Sequence, residues 1–275
     1  MSLYIQTNVA SMIAQGNLSR TQGALSQNFA KLSSGYRINN ASDDAANLGI
    51  SKSMNAQLRS LAVAERNASD GISMAQTADG AAEQIHGILT RMRELSVQGS
   101  NGTLSAADST NLNTEYQANL AEIDRIAQVT SFNGRNLLAG SSASVSFQVG
   151  INNVAAADRM NINFGGADVA GLTMTSSTVD SVANSRIAIG ALDSAIGALS
   201  TLREGWGSSV NRMTTAVTNL QSMQSNLSAS LSRIRDVDIA SETASMSRNQ
   251  VLMQAGTAVL SQANQAPQAA LSLLR

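Results

Sequence analysis

The fold of this chain is decided by residues 189–234, IGALDSAIGALSTLREGWGSSVNRMTTAVTNLQSMQSNLSASLSRI. Its apolar residues recur at spacings of three and four, which is the pattern of one long helix packed along a single seam. They are Ile189, Leu192, Ile196, Leu199, Trp206, Val210, Met213, Val217, Leu220, Leu227, Leu231 and Ile234. Only Arg203 and Gln224 bring polar side chains into the seam. Such a helix would be roughly 70 Å long, against about 50 Å for a compact globule of this chain length, so the sequence predicts an elongated protein.

Partner segments precede this helix. A seam with the same spacing extends from Ile50 to Met92, and its many alanines predict close helix axes. A shorter helix is predicted for residues 106–129, with Gly102 ending the helix before it and Ser105 or Thr103 as its cap. Together the three segments predict an antiparallel bundle.

The middle of the chain changes period. SFNGRN (131–136) carries an Asn-Gly turn signal, and SVSFQVG (144–150) and RMNINF (159–164) alternate apolar and polar residues. These are predicted to be short strands in hairpins, and residues 165–181 are predicted to be a weak strand or a loop. The predicted fold class is therefore mainly α: an elongated antiparallel helical bundle or coiled coil with a small β-hairpin region in the middle of the chain.

The composition argues against several classes of function. The net charge is -1 and lysine occurs only at Lys31 and Lys52, so no basic face indicates nucleic acid or anionic lipid as a partner. Cysteine is absent and His86 is the only histidine, which leaves no thiolate nucleophile and no His-pair metal site within one chain. We predict no enzyme activity, no catalytic or metal-binding residue and no cofactor. No apolar run predicts a membrane span, and the first residues do not resemble a cleavable secretory signal.

Both ends of the chain are amphipathic and nearly free of charge. Residues 1–30 contain one charged residue, Arg20, and residues 249–275 contain one, Arg275. Apolar residues repeat by seven in each segment: Leu18, Leu25 and Leu32 in the first, and Ile239, Met246, Met253 and Leu260 in the second. Two interpretations stay open at this point, because the two segments either fold back onto the bundle or associate with copies of themselves.

A joint interrupts the helices near the N-terminus. In KLSSGYRINNASDDAA (31–46), Gly35 and Asn39-Asn40 are predicted to end the first helix, and Ser42 with Asp43 and Asp44 is predicted to cap the next. Charged residues are expected to pair across this joint, or else to be solvated separately: Arg37, Asp43, Asp44, Arg235, Asp236 and Asp238.

Several segments resemble bacterial flagellins in order and spacing. They are IQTNVASMIAQGNL (5–18), KLSSGYRINNASDDAANLGI (31–50), RNASDGISMAQTADGA (66–81), RMRELSVQGSNGT (91–103), EIDRIA (122–127), SFNGRNLL (131–138), SRIRDVDIASE (232–242) and QAGTAVLSQANQAPQAALSLL (254–274). The resemblance covers about residues 1–140 and 185–275. The chain departs from the family in GWG (205–207), which places a tryptophan in the seam and two glycines where a kink is expected, and it lacks the large variable outer domains of many flagellins.

The resemblance implies a division of the chain into four segments. Residues 1–41 would form the N-terminal core helix and spoke, 42–181 the outer-bundle helices with the hairpins, 182–235 the long C-terminal helix of the outer bundle, and 236–275 the C-terminal core helix that pairs with 1–41. Residues 31–46 and 235–241 would be the two spokes, with Gly35 at the first. The heptad residues Leu18, Leu25, Leu32, Ile239, Met246, Met253 and Leu260 would pack between subunits.

The implied function is that of a structural subunit, which polymerises helically into the bacterial flagellar filament for swimming motility. Two alternatives are a hook–filament junction protein of the same superfamily and a coiled-coil scaffold unrelated to motility. The resemblance implies type III export without cleavage, location in the extracellular filament, and an export chaperone on the C-terminal helix near Met246 to Leu260. Further implied partners are the filament cap and hook–filament junction proteins; neither nucleic acid nor a membrane is expected as a partner.

A host receptor is the last implied partner. LTRMRELSVQ (89–98) and NTEYQ (113–117) match the stretches by which flagellins contact the flagellin-sensing Toll-like receptor. The positions carried over are Arg91, Leu95 and Glu115, with Leu89 beside them. Subunit packing in the filament is expected to be the main role of this surface, so only the monomer would bind the receptor.

Overall fold

The computed structural model describes residues 7–140 and 144–272, with side chains described as far as residue 265. The chain divides into two compact units, one of residues 1–56 with 226–275 and one of residues 57–225. The elements follow in chain order: α1 Val9–Ser34, α2 Ala45–Gly99, α3 Ala106–Val129, β1 Ser131–Phe132, β2 Arg135–Asn136, β3 Val145–Gln148, α4 Ala155–Asp158, β4 Arg159–Ile162, α5 Val182–Arg235 and α6 Ile239–Ser272. The predicted fold class, mainly α with a small β-hairpin region in mid-chain, is confirmed.

The unit of residues 57–225 has its core along the facing sides of α2, α3 and α5. Alanines supply much of the α2 side, as the sequence predicted, and Ala68, Ala78 and Ala82 are fully buried. Gly71 belongs to the same side, because a Cβ there would stand 2.7 Å from Sδ of Met213 on α5. Small residues thus let the two helices approach closely.

The two polar positions of the α5 seam have partners on α2. Arg203 donates from Nε to Asp79 at 2.7 Å and pairs through Nη1 with Glu83 at 2.5 Å. Gln224 donates to a carboxylate oxygen of Glu65 at 3.0 Å. Polar residues therefore extend the contact between α2 and α5 where apolar packing is interrupted.

The short helix α3 begins as the sequence predicted. Ser105 is its N-cap, and Ser105 with Asp108 forms a reciprocal capping box. The preceding helix α2 ends at Gly99 instead of near Gly102. Gly99 lies against α5, where a Cβ would stand 2.6 Å from Oγ of Ser185.

Two antiparallel strand pairs follow α3. β1 and β2 are joined by Asn133 and Gly134, whose φ angles of 49° and 76° suit the Asn-Gly turn signal. β3 pairs with β4 in the register Val145 to Ile162, which places the alternating apolar residues on one face. Between β4 and α5 the weak-strand alternative is wrong, since residues 163–181 form a loop without a strand.

Side chains of α3 hold this loop in place. Asp124 accepts from the backbone N–H of Val169 at 2.8 Å, and Asn113 accepts from that of Val179 at 3.0 Å.

No helix within residues 7–140 and 144–272 has the length and apolarity that a membrane crossing requires.

Candidate assembly surface

The terminal helices α1 and α6 pack against each other along one heptad seam. Buried or half-buried positions of α1 alternate by three and four, and so do those of α6. On α1 they include Ser11, Ala14, Leu18, Thr21, Leu25, Asn28 and Leu32, and on α6 they include Glu242, Met246, Asn249, Met253, Gly256, Leu260 and Ala263. The apolar repeats found in the sequence thus form the seam inside one chain.

This location bears on the expected role of the repeats. Leu18, Leu25, Leu32, Met246, Met253 and Leu260 were expected to pack between subunits, and within one chain they lie buried or half-buried along the contact between α1 and α6. Ile239 is different, with 66% of its surface exposed. A heptad repeat identifies residues that share a face, and the packing of this face between subunits stays a prediction.

Large apolar side chains outside the contact between α1 and α6 are open to solvent. Those with half or more of their surface exposed are together called the outward apolar face below: Val9, Met12, Ile13 and Phe29 on α1, and Ile239, Val251, Leu252 and Val259 on α6. Ile239 belongs to the heptad repeat of α6, and the sequence analysis missed the others because it followed the seam repeats alone. The signal that would have found them is apolar residues outside the seam positions of a charge-poor helix.

Backbone pairing joins the two connections beside these helices. Tyr36 and Asp236 form an isolated antiparallel bridge, in which Arg37 N–H donates to the carbonyl of Arg235 at 2.7 Å and Val237 N–H donates to that of Gly35 at 3.0 Å. Gly35 ends α1 with φ 74° in the left-handed region. The guanidinium of Arg235 lies 3.7 Å from the ring centre of Tyr36, a cation–π contact.

The charged side chains of this joint bind backbone groups. Asp43 accepts from the N–H groups of Asn40 and Asn39, at 2.9 and 3.0 Å, and these bonds lower the pKa of its carboxyl. Asp44 caps α2 by accepting from the N–H of Asn47 at 2.9 Å, and its pKa is lowered chiefly by that bond.

Arg37 and Asp238 also bind backbone groups. Arg37 donates to the carbonyl oxygen of Ile234 at 2.6 Å, and Asp238 accepts from the N–H of Ala240 at the start of α6. Within the described chain, no ion pair within 4.0 Å joins the six charged residues predicted to pair across the joint. Arg37, Asp43, Asp44 and Asp238 therefore bind main-chain groups, whereas Arg235 contacts the Tyr36 ring and its buried Nε has no hydrogen-bond partner among the described residues.

The positions carried over for receptor contact divide into two environments. Arg91 on α2 donates to Glu115 on α3 at 2.9 Å and to Glu94 at 3.0 Å, and its side chain is 52% exposed. Leu89 and Leu95 are 0% and 1% exposed and lie in the core. The part of this surface that is open to solvent is therefore the ion-paired cluster of Arg91, Glu94 and Glu115.

Across residues 7–140 and 144–272 there is no cluster of three or more His, Asp or Glu side chains with metal-binding geometry. His86 is half-buried on α2.

Helices α1 and α6 are poor in charge, pair along one seam and leave other apolar side chains open to solvent. This arrangement is typical of structural subunits that assemble with copies of themselves. Comparison with known proteins gives the family. The protein-family model for the bacterial flagellin N-terminal helical region matches residues 5–143. The family model for the bacterial flagellin C-terminal helical region matches residues 189–274. The chain belongs to the bacterial flagellin family, and it is a structural subunit of the extracellular flagellar filament.

Individual relatives agree along the whole chain. A flagellin of Halalkalibacterium halodurans is 41% identical over 275 residues, covering 99% of this chain and 100% of the relative. The flagellar filament 33 kDa core protein of Treponema phagedenis is 39% identical, with the same coverage. Among solved structures, the crystal structure of Bacillus cereus flagellin has a TM-score of 0.51 at 33% identity, covering 60% of this chain and 94% of that one.

Proposed function

We propose that the filament is held together by the outward apolar face of α1 and α6, with residues 1–41 and 236–275 forming its inner core and residues 42–235 lying outside it. The observation that carries this proposal is the row of half-exposed Val, Ile, Leu, Met and Phe side chains on helices with almost no charge. Each large apolar side chain that becomes fully buried contributes about 1.5–3 kcal/mol, of which roughly half is still available here.

Low charge on both helices supports the same proposal. Copies of a charge-poor surface repel one another little, so they can pack side by side in a polymer. A contact made between different patches of identical subunits produces an open helical filament when the rotation between neighbours does not close a ring.

The alternatives have less support. A hook–filament junction protein or a non-motility scaffold would not be expected to match curated flagellins from end to end, as this chain does. The family is structural, and we propose a purely mechanical role without enzyme activity, metal or cofactor.

Other partners are proposed from the family. An export chaperone would cover the outward face of α6 between Met246 and Leu260 before assembly, since Val251, Leu252 and Val259 would otherwise meet water there. The filament cap and the hook–filament junction proteins would contact the subunits at the two ends of the polymer. The Toll-like receptor for flagellin would bind the monomer through Arg91 and Glu115.

Polymerisation of charged variants tests the proposal. Phe29→Asp and Leu252→Asp each place a carboxylate on the outward face, where the side chains are 52% and 50% exposed. The matched controls are Gln27→Asp and Gln254→Asp, at exposed polar positions of the same helices. We expect the first two variants not to sediment as filaments and the controls to polymerise.

The fold of the unit of residues 57–225 must be followed in the same samples. Because this proposal puts that unit outside the filament core, it is called the outer unit below. The single tryptophan, Trp206, lies in the unit of residues 57–225, so its fluorescence reports folding independently of assembly. Filament formation by Phe29→Asp and Leu252→Asp at the rate of the controls would show that this face is not the assembly surface.

A further inference from the structure

The apolar residues of the α1–α6 seam do not identify one register. Leu18, Leu25 and Leu32 repeat by seven on α1, and Met246, Met253 and Leu260 repeat by seven on α6. A slip of seven residues, about 10 Å along the axis, brings the same kinds of side chain opposite each other again. Something other than apolar packing must select the register.

A polar triad occupies this seam. Asn28 is 8% exposed, and its Nδ2 donates to Oε1 of Glu242 at 2.5 Å. Its Oδ1 accepts from Nδ2 of Asn249 at 2.8 Å. Asn28 thus has a partner for both ends of its amide, and the two partners lie about two turns apart on one face of α6.

The triad is satisfied in one register only. A slip of one heptad would place Asn28 between Asn249 and Gly256, and a slip in the other direction would place it between Arg235 and Glu242. In the first case the carboxylate acceptor is lost and glycine offers no side chain. In the second the amide of Asn28 would have to reverse, and Arg235 would have to leave its contact with the Tyr36 ring to donate to it. A buried amide without partners is costly, so each slip is penalised.

Glycine at position 256 provides an independent register mark. Cδ1 of Leu18 lies 3.3 Å from the point where a Cβ would stand at Gly256. The leucine therefore fills the space above a residue without a side chain. A slip would set Leu18 against Ala263 or Asn249, where a side chain occupies that space.

We propose that the triad of Asn28, Glu242 and Asn249 specifies the register in which α1 pairs with α6, so that the outward apolar faces of the two helices line up for assembly. This inference rests on the proposed assembly through that outward face. The bridge at Tyr36 and Asp236 does not replace the triad, because main-chain hydrogen bonds carry no side-chain identity.

The chain contains no cysteine, so the register can be measured by introduced disulfides. Ser11→Cys with Asn264→Cys probes the native register, where Oγ of Ser11 lies 2.8 Å from Oδ1 of Asn264. Ser11→Cys with Thr257→Cys probes a slip of one heptad. Filaments are assembled under reducing conditions and then oxidised, and intrachain cross-links are separated on a non-reducing gel.

Each of the two cysteine pairs is introduced into three sets of substitutions, called backgrounds. The apolar background is Asn28→Leu with Glu242→Leu and Asn249→Leu, and the swapped background is Asn28→Glu with Glu242→Asn, which keeps hydrogen-bonding groups on both helices. The control background is Gln27→Leu with Gln254→Leu and Gln262→Leu, which adds three leucines at exposed positions of the same helices. The parent chain is measured beside them.

The expected result is a redistribution of cross-links. Parent, control and swapped chains should cross-link in the native register only, whereas the apolar background should lose at least half of that product and gain the slipped product about fivefold. Native-register cross-linking of the apolar background at the parent level would overturn the proposal. If the apolar background does not polymerise, the swapped background is the test. A slipped register in the swapped background, or its failure to assemble, would also overturn the proposal. Absence of filaments from the parent and control chains would instead count against the proposed assembly surface.

Discussion

The indole Nε1 of Trp206 donates to the backbone carbonyl oxygen of Asn163 at 2.8 Å. This bond ties the middle of α5 to the segment that follows β4. Trp206 is 1% exposed, and its ring centre lies 6.2 Å from that of Phe164. The tryptophan that departs from the family pattern therefore anchors the hairpin region on the long helix, and α5 continues through the two flanking glycines.

Removing this anchor should destabilise the outer unit. Trp206→Phe deletes the donor, leaves the carbonyl of Asn163 unpaired and opens a cavity, so we expect the free energy of unfolding to fall by about 2–4 kcal/mol. Urea unfolding followed by circular dichroism measures it. Gly207→Ala is the matched control, since nothing lies within 4 Å of a Cβ there, and it should raise stability by up to about 1 kcal/mol. Equal stability of Trp206→Phe and the parent would contradict the anchoring role.

The sequence predicted most of the fold because local signals were strong. The Ser105 cap, the Asn133-Gly134 turn and the alternation in β3 and β4 each depend on neighbouring residues only. The candidate surfaces were harder to predict, because periodicity shows which residues share a face and not what covers that face. Leu95 illustrates this, since the resemblance placed it on one contact surface with Arg91, yet Leu95 lies in the core and Arg91 is exposed to solvent.

The joint should loosen in acid. Bonds from backbone N–H groups lower the pKa values of Asp43 and Asp44 below the usual 3.8, so each carboxylate contributes stability above that value and loses it as the pH falls through the lower folded pKa. The midpoint temperature of filament dissociation on heating should therefore decrease as the pH falls below 3.8. Asp43→Asn with Asp44→Asn should flatten this dependence, and Glu204→Gln, at an exposed position of the other unit, should not. A parallel slope in the double variant would rule out a role for these carboxyls.

The order of the terminal helices should depend on assembly. Helices α1 and α6 carry exposed apolar side chains that other subunits would cover, so we expect residues 1–35 and 240–275 to be largely disordered in the monomer and helical in the polymer. Hydrogen exchange followed by mass spectrometry compares the two states, with peptides of α3 as the internal reference. Strong protection of both terminal segments in the monomer would show that intrachain pairing suffices for order.

Receptor recognition should depend on the Arg91–Glu115 pair in the free monomer. Because these side chains are half-exposed and joined at 2.9 Å, they offer a fixed charged anchor on the surface of the outer unit. Arg91→Ala and Glu115→Ala should each weaken monomer binding by about 1 kcal/mol or more, roughly fivefold in Kd. Leu89 and Leu95 should affect binding only through folding, as both lie in the core.

The matched control is Arg93→Ala, which removes another arginine of α2 that is ion-paired, to Asp193, and similarly exposed. It should leave binding unchanged, and intact filament should not bind, because subunit packing would cover the anchor. Titration of the Toll-like receptor ectodomain with monomer and with stabilised filament measures both effects. Since the exposed pair itself contributes little to folding, normal thermal unfolding of the variants would separate lost recognition from lost structure. Unchanged receptor activation by the Arg91→Ala, Glu115→Ala double variant would remove these residues from the binding surface.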